Sequence, residues 1–335
     1  MMTIGIVPCG GACRPRRPQS RAWTLPVIGG LRPLLIHTLI LALLFVCCDA
    51  MLGVISTAEA GEAFFGWIYT ADIHPPGTFE YEHRSFLQRS QSRGQYAYLQ
   101  NSEELELGVT PNLQVAGYLN WSYRNAFRNG IDGTTGGPGV SMFEGPNFNP
   151  YNRLSGARFD SASVEVIYQI LNPYTDPIGL ALYLEPEFGP REWELEWRII
   201  VQKNFLDDKL VVAANLMGRH ENERYSDRTT NRESPLDVTL GASYRVADNW
   251  FLGIEGRVHN EFAGILWRSP DHSAFFLGPN VHYATKGWWV TAAWRHQLPM
   301  TLAYNRDQAD VMWHGRIYGD EHARDEVMLK FGMPF

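Results

Sequence analysis

From about residue 104 onward the chain alternates apolar and polar side chains, one residue at a time, in segment after segment. Neighbouring side chains of a β-strand point to opposite faces, so each such run reads as a strand with one apolar and one polar face. Leu105, Leu107 and Val109 alternate with Glu104 and Glu106. After Thr110-Pro111-Asn112, a turn, the residues Leu113, Val115, Gly117, Leu119, Trp121 and Tyr123 repeat the pattern. It returns at 163–170, 178–184, 192–202, 210–216, 236–245 and 250–259, less cleanly at 274–284 and 288–298, and finally at 327–335. With weaker segments at 77–87 and 95–109, about twelve strands are expected.

A chain patterned this way is not a polytopic helical membrane protein, and its mean hydropathy of -0.24 agrees, because each helical crossing needs about 20 consecutive apolar residues. Disorder is excluded by the wealth of aromatic and β-branched residues. The formal net charge of -7 gives no electrostatic reason to bind nucleic acid.

The first sixty residues differ from the rest. Arg14, Arg16, Arg17, Arg21 and Arg32 precede the apolar stretch Leu34–Cys48, and Ala58-Glu59-Ala60 follows. A basic region, an apolar region and a small-residue site define a secretory signal peptide, with cleavage expected after Ala60. A retained N-terminal anchor is the alternative. The domain plan is therefore 1–60 as signal peptide and 61–335 as the mature protein. All four cysteines (Cys9, Cys13, Cys47 and Cys48) lie in the first part, so an exported mature chain has neither disulfides nor thiolate metal sites.

A soluble β-sandwich also alternates. Three features favour a transmembrane barrel. The strands read as about 9–11 residues, the length of a tilted bilayer crossing. Short connections at 110–112, 171–177, 203–208, 247–249 and 284–287 interleave with generally longer ones at 124–158, 219–235, 261–273 and 299–323, as short periplasmic turns and long external loops do. Trp121, Tyr123, Tyr244, Trp250, Trp288 and Trp289 fall near strand ends, where amphipathic rings suit the membrane boundary. Residues 300–318 alternate poorly and suggest a hairpin above the membrane.

The terminal Val327-x-Leu329-x-Phe331-x-Met333-x-Phe335 resembles the C-terminal signal read by the outer-membrane assembly machinery, with Val327, Leu329, Phe331 and Phe335 as its residues. The whole of 61–335 resembles a Gram-negative outer-membrane β-barrel. The opening Gly66-Trp67-Ile68-Tyr69-Thr70-Ala71-Asp72, with Pro76-Gly77-Thr78-Phe79-Glu80 after it, resembles a porin-like family of largely uncharacterised barrels. Glu106-Leu107-Gly108-Val109-Thr110 followed by Asn112-Leu113-Gln114 points the same way. The resemblance implies a Gram-negative outer-membrane location and contact with outer-membrane lipids, lipopolysaccharide and the assembly machinery. It implies no catalytic residue and no named substrate.

In a barrel the polar face lines the lumen. The acids expected there are Glu104, Glu106, Glu165, Glu192, Glu194, Glu196 and Glu255; the bases are Arg198, Arg245, Arg257 and Arg295. Such a lining suits a narrow channel for passive diffusion of small solutes. It equally suits a salt-bridged filling in a plugged structural or binding barrel. Glu192, Glu194 and Glu196 form a like-charge row that favours cations unless arginines neutralise it. Residues 220–233 read as a mixed-charge external loop, whose Arg224, Arg228 and Arg232 could meet lipopolysaccharide phosphates. Residues 129–150 are candidates for an inward constriction. A lipid-modifying or proteolytic enzyme would need a Ser–His or acid–His pair. His220, His259, His272, His296, His314 and His322 look scattered, and neither G-x-S-x-G nor H-E-x-x-H occurs. No cofactor and no metal site is expected.

Overall fold

The computed structural model describes residues 63–130, 132–137, 148–225, 228–300, 312–313, 316–317 and 322–335. The expected signal peptide, His314 and half of the candidate constriction at 129–150 lie outside these residues. Fifteen strands follow in chain order: β1 (Phe79–Arg89), β2 (Gln95–Thr110), β3 (Leu113–Phe127), β4 (Leu154–Leu171), β5 (Gly179–Phe188), β6 (Glu192–Phe205), β7 (Leu210–Arg224), β8 (Thr230–Glu233), β9 (Leu236–Ala247), β10 (Trp250–Phe262), β11 (Pro270–Ala284), β12 (Trp289–Leu298), β13 (Met312–Trp313), β14 (Arg316–Ile317) and β15 (Asp325–Pro334).

Twelve of these are staves of one antiparallel barrel. Each pairs with its neighbour in sequence order, β7 pairs with β9, β12 with β15, and β15 returns to β1 through the register Glu80↔Pro334 to Arg89↔Asp325. Closure leaves no unpaired edge, the condition for a strand to cross lipid. Both termini of the barrel lie at the end carrying the tight turns, which in such barrels faces the periplasm.

The apolar parity faces out. Leu240 is 60% exposed, and Leu105 and Leu329 are 48% exposed, a surface that only lipid can cover without cost. Tyr123, Tyr244, Trp250 and Trp288 also face outward. Trp289 does not: it is buried inside the barrel, and its indole N–H donates to Glu80 Oε1 at 2.7 Å. A Cβ on Gly332 would stand 2.1 Å from that ring, so the glycine on β15 makes its room.

The twelve staves run 10 to 18 residues, mostly longer than a crossing requires, so several continue beyond the membrane. The expected loop at 220–233 is largely such an extension. β7 continues to Arg224 and pairs with β8 in the register Glu221↔Glu233 to Arg224↔Thr230. Two external connections, 90–94 and 189–191, are tight rather than long. The segment at 300–318 contains a two-residue ribbon, β13 against β14.

We expect Leu240→Arg to cost about 2–4 kcal/mol if it lies near the midplane, and Leu240→Ile to cost little. Reversible denaturation in lipid vesicles measures both; equal stabilities would mean that Leu240 does not face hydrocarbon.

Candidate functional site in the barrel lumen

Residues 63–78 form no strand of the barrel. They run along the inner wall of its periplasmic half, from β12 past β10, β9 and β7 to β6, β4, β3 and β2. A backbone without a ladder must find other partners for its N–H and C=O groups when buried. Here the lumen side chains supply them. Thr291 Oγ1 donates to the Ala63 carbonyl at 2.6 Å. The N–H groups of Gly66 and Trp67 each donate to a different oxygen of Glu255 at 3.0 Å. The Asn215 carboxamide accepts from Tyr69 N–H at 2.8 Å and donates to Tyr69 C=O at 2.9 Å, so one amide side chain stands in for a partner strand. Gln202 and Gln169 divide the same task at Ala71, each at 2.7 Å. Gln114 accepts from His74 N–H at 2.8 Å.

Apolar contacts lie between these bonds. Phe64, Phe65 and Ile68 pack on Val211, Ala213 and Phe251. Ala71 packs on Ile167, Ala181, Tyr183 and Ile200. These wall residues are inward-facing yet apolar, which a water-filled pore would not favour. The fit is close: a Cβ on Gly241 would stand 2.7 Å from both Phe65 and Ile68, and a Cβ on Gly66 2.6 Å from that of Ala293. Glycine inside a strand marks such an approach.

Tyr69 is the centre of the segment. Its hydroxyl donates to Glu165 at 3.3 Å, the Arg198 guanidinium lies 4.1 Å from its ring centroid, and Tyr183 meets it edge-on. Burial and the neighbouring Glu165 push its phenol well above the usual range. Burial also raises the Asp72 carboxyl, although Gln202, Thr70 and Tyr174 hydrogen-bond to it.

The eleven charged residues expected at the lumen all fall on inward-facing positions of their strands, and they are widely paired. Glu104, Glu165 and Glu255 are 4%, 1% and 1% exposed, values of a packed interior rather than a wetted wall. Arg295 is bound to Glu326, and Arg257 to Asp237 at 2.5 Å. Arg245 lies over Phe251. The acidic row is neutralised: Glu192 meets Arg158 at 3.3 Å, Glu194 meets Arg219 at 3.5 Å, and Glu196 meets Arg198 at 2.5 Å. Glu106 accepts from Gln114 and pairs with His74 Nε2 at 2.9 Å. Nearer the external end, Tyr96 and Tyr98 pack with Ala126, Ala323, Phe148 and Leu154.

Two groupings escaped the sequence reading. His259, His272 and His322 are not scattered; each presents a potential ligand atom within 4.8 Å of the others. On the outward parity of β1 and β2, His83 Nδ1 lies 3.1 Å from Glu103, and His83 Nε2 lies 3.0 Å from Ser85 Oγ. Ser85 Oγ also donates to Asn101 Oδ1 at 2.7 Å. The only sequence signal for this second group is polar residues on an otherwise apolar parity.

Two outcomes follow from the seat of residues 63–78. Gly241→Val should loosen it at a cost of about 1–3 kcal/mol from overpacking, read as faster proteolysis within 63–73 while the barrel remains heat-modifiable. The raised Asp72 carboxyl favours the seated segment when protonated. That contribution is complete below the ordinary aspartate pKa of about 3.9 and is lost as pH rises through the raised value. Cleavage should therefore be slower in acid than at neutral pH, compared with a protease-matched control peptide, and Asp72→Asn should remove much of the difference.

Among solved structures, the fold is similar to the COG4313 outer membrane channel from Pseudomonas putida F1, with a TM-score of 0.51 and 10% identity over 79% of this chain and 98% of that one. The NanC porin aligns with a TM-score of 0.45 and 9% identity over 76% of this chain and 98% of its own. The KdgM porin aligns with a TM-score of 0.42 and 9% identity over 76% and 99%. No curated protein sequence matches the chain. Residues 57–335 match the model described as a family of unknown function (DUF6662), and the chain belongs to that family.

Proposed function

We propose that this chain is a porin-like barrel of the Gram-negative outer membrane that rests closed, and that small solutes cross when residues 63–78 leave their seat. The observation that carries this reading is the way the segment is held. Its backbone is bonded by single side chains from six staves, at Thr291, Glu255, Asn215, Gln202, Gln169 and Gln114. Each such bond contributes on the order of 1 kcal/mol net and can be exchanged for water one at a time. A ladder strand could not leave without opening the barrel. The apolar wall at Ile167, Ile200, Val211 and Phe251 explains why the closed state is preferred.

Conductance in planar bilayers tests it. Wild type should open rarely, and a variant lacking residues 63–73 should conduct steadily. A Cβ built on Gly179 lies 3.0 Å from that of Ala71, close enough for Ala71→Cys with Gly179→Cys to form a disulfide after a small shift. Oxidation should silence this pair and a reductant should restore it. If the oxidised pair conducts like wild type, the segment is not the gate.

A second reading rests on Ser85, His83 and Glu103. Their spacing suits an ester hydrolase acting on membrane lipid: the Ser85 hydroxyl turns its proton from Asn101 to His83, which takes it as Oγ attacks an acyl carbonyl, Glu103 steadies the imidazolium, and His83 returns the proton to the leaving alcohol. Water then releases the fatty acid. Purified protein should release fatty acid from phospholipid vesicles, and Ser85→Ala should abolish that release while leaving conductance intact. Equal release by Ser85→Ala would dismiss this reading.

A further inference from the structure

We infer that His259, His272 and His322, with Glu261, form a binding site for a divalent transition-metal ion, zinc by its chemistry, inside the external end of the barrel. His259 lies near the end of β10, His272 near the start of β11, and His322 just before β15. The site would join the connection preceding β15 to the wall.

His259 Nδ1 lies 2.6 Å from Asp237 Oδ1, and Asp237 also binds Arg257 at 2.5 Å. An ionised carboxylate at that distance requires Nδ1 to carry a proton. The Arg257 nitrogen 2.7 Å from the same atom is then a close neighbour rather than a donor. The His259 Nε2 lone pair is left free. This atom is buried with no hydrogen-bond partner, in a residue only 2% exposed, and Glu261 Oε2 stands 3.2 Å from it. A lone pair facing a carboxylate is repulsive unless a proton or a metal cation lies between them.

The second contact has the same form. Asp271 Oδ2 lies 3.2 Å from His272 Nδ1, which leaves His272 Nε2 to face His322 Nε2 at 2.9 Å. Without metal, His322 Nε2–H donates to this His272 lone pair; in its other tautomer His322 turns a second lone pair toward the same point, as a metal ion requires. Zinc–nitrogen bonds of about 2.0–2.1 Å place tetrahedral ligand atoms roughly 3.3 Å apart, so a small outward adjustment of this pair suffices. One ion answers both contacts. Carboxylates behind two of the histidines are the usual means of fixing tautomer and ring direction in a zinc site. Three imidazoles and one carboxylate are a donor set suited to zinc and its neighbours in the first transition row, not to magnesium or calcium.

Arg257 and Arg295 stand near enough to oppose a cation. Both are held by acids: Arg257 by Asp237 and Arg295 by Glu326. Asp271 and Glu261 add negative charge beside His272 and His259.

Metal-free protein, folded in detergent as the full mature chain, should take up one zinc per molecule by calorimetry, and cobalt(II) in its place should show the visible absorption of a four-coordinate nitrogen–oxygen site. His322→Ala should weaken zinc binding by at least about a hundredfold, the upper end of what loss of an outer-shell partner alone costs. His322 lies outside the strands, so this variant tests the site without disturbing β10 or β11, and heat-modifiable migration verifies its fold. His296→Ala, a histidine paired with Asp325 at 2.9 Å, should bind zinc as wild type does. Absence of stoichiometric zinc in the wild type, undiminished binding in His322→Ala, or equal loss in His296→Ala would each overturn the site.

Discussion

The backbone of residues 63–78 must satisfy its polar groups inside a closed barrel, and the lumen is organised around that requirement. The barrel ladder is complete without the segment, and only at its end, where Gly108 of β2 bonds Gly77 and Thr78, does a strand backbone offer it a partner. Wall amides take the place of a ladder. Asn215 bonds both polar groups of Tyr69, and Gln202 with Gln169 bonds both of Ala71. Glu255 receives two successive N–H groups. These polar residues lie on the wall in register with the segment, and the apolar patches between them bury Phe64, Phe65 and Ile68.

The same enclosure governs the charges. A buried ion without a partner is strongly unfavourable, and the interior answers with pairs and clusters: Arg295 with Glu326, Arg257 with Asp237, Lys330 with Glu82 at 2.9 Å. Arginine also covers aromatic faces, as Arg198 does at Tyr69 and Arg124 at Tyr98. The acidic row on β6 therefore does not act as a ring of like charge. Its effect on a permeating ion depends on the arginines beside it, which come from β4, β6 and β7.

Water and lipid divide the remaining polar groups. The three histidines near the external end belong to the packed interior. His83, Ser85 and Glu103 lie on the outward face among leucines and aromatics, where a polar cluster carries a cost that only mutual hydrogen bonding reduces. The two clusters stand on different staves and opposite faces and share no residue, so they can be probed independently.

The barrel itself was legible in the sequence. Period two decides which side chains of a strand share a face whatever the strand packs against, so the outward Leu105, Leu240 and Leu329 and the inward Glu104, Glu165 and Glu255 follow from local pattern alone. Twelve staves and five tight turns follow from counting these runs. A trace of the filled lumen was also present: Val211-Val212-Ala213-Ala214, Ile199-Ile200-Val201 and Trp250-Phe251-Leu252 are apolar on both parities, where a wet wall would alternate. The tertiary structure alone decided what covers those residues, because residues 63–78 have no periodicity and the wall side chains that bond their backbone lie 40 to 228 positions away. It alone brought His322 to His272 across 50 residues and turned Trp289 inward against Gly332. Pairing across a closed ladder sets such distances, and sequence spacing carries no record of them.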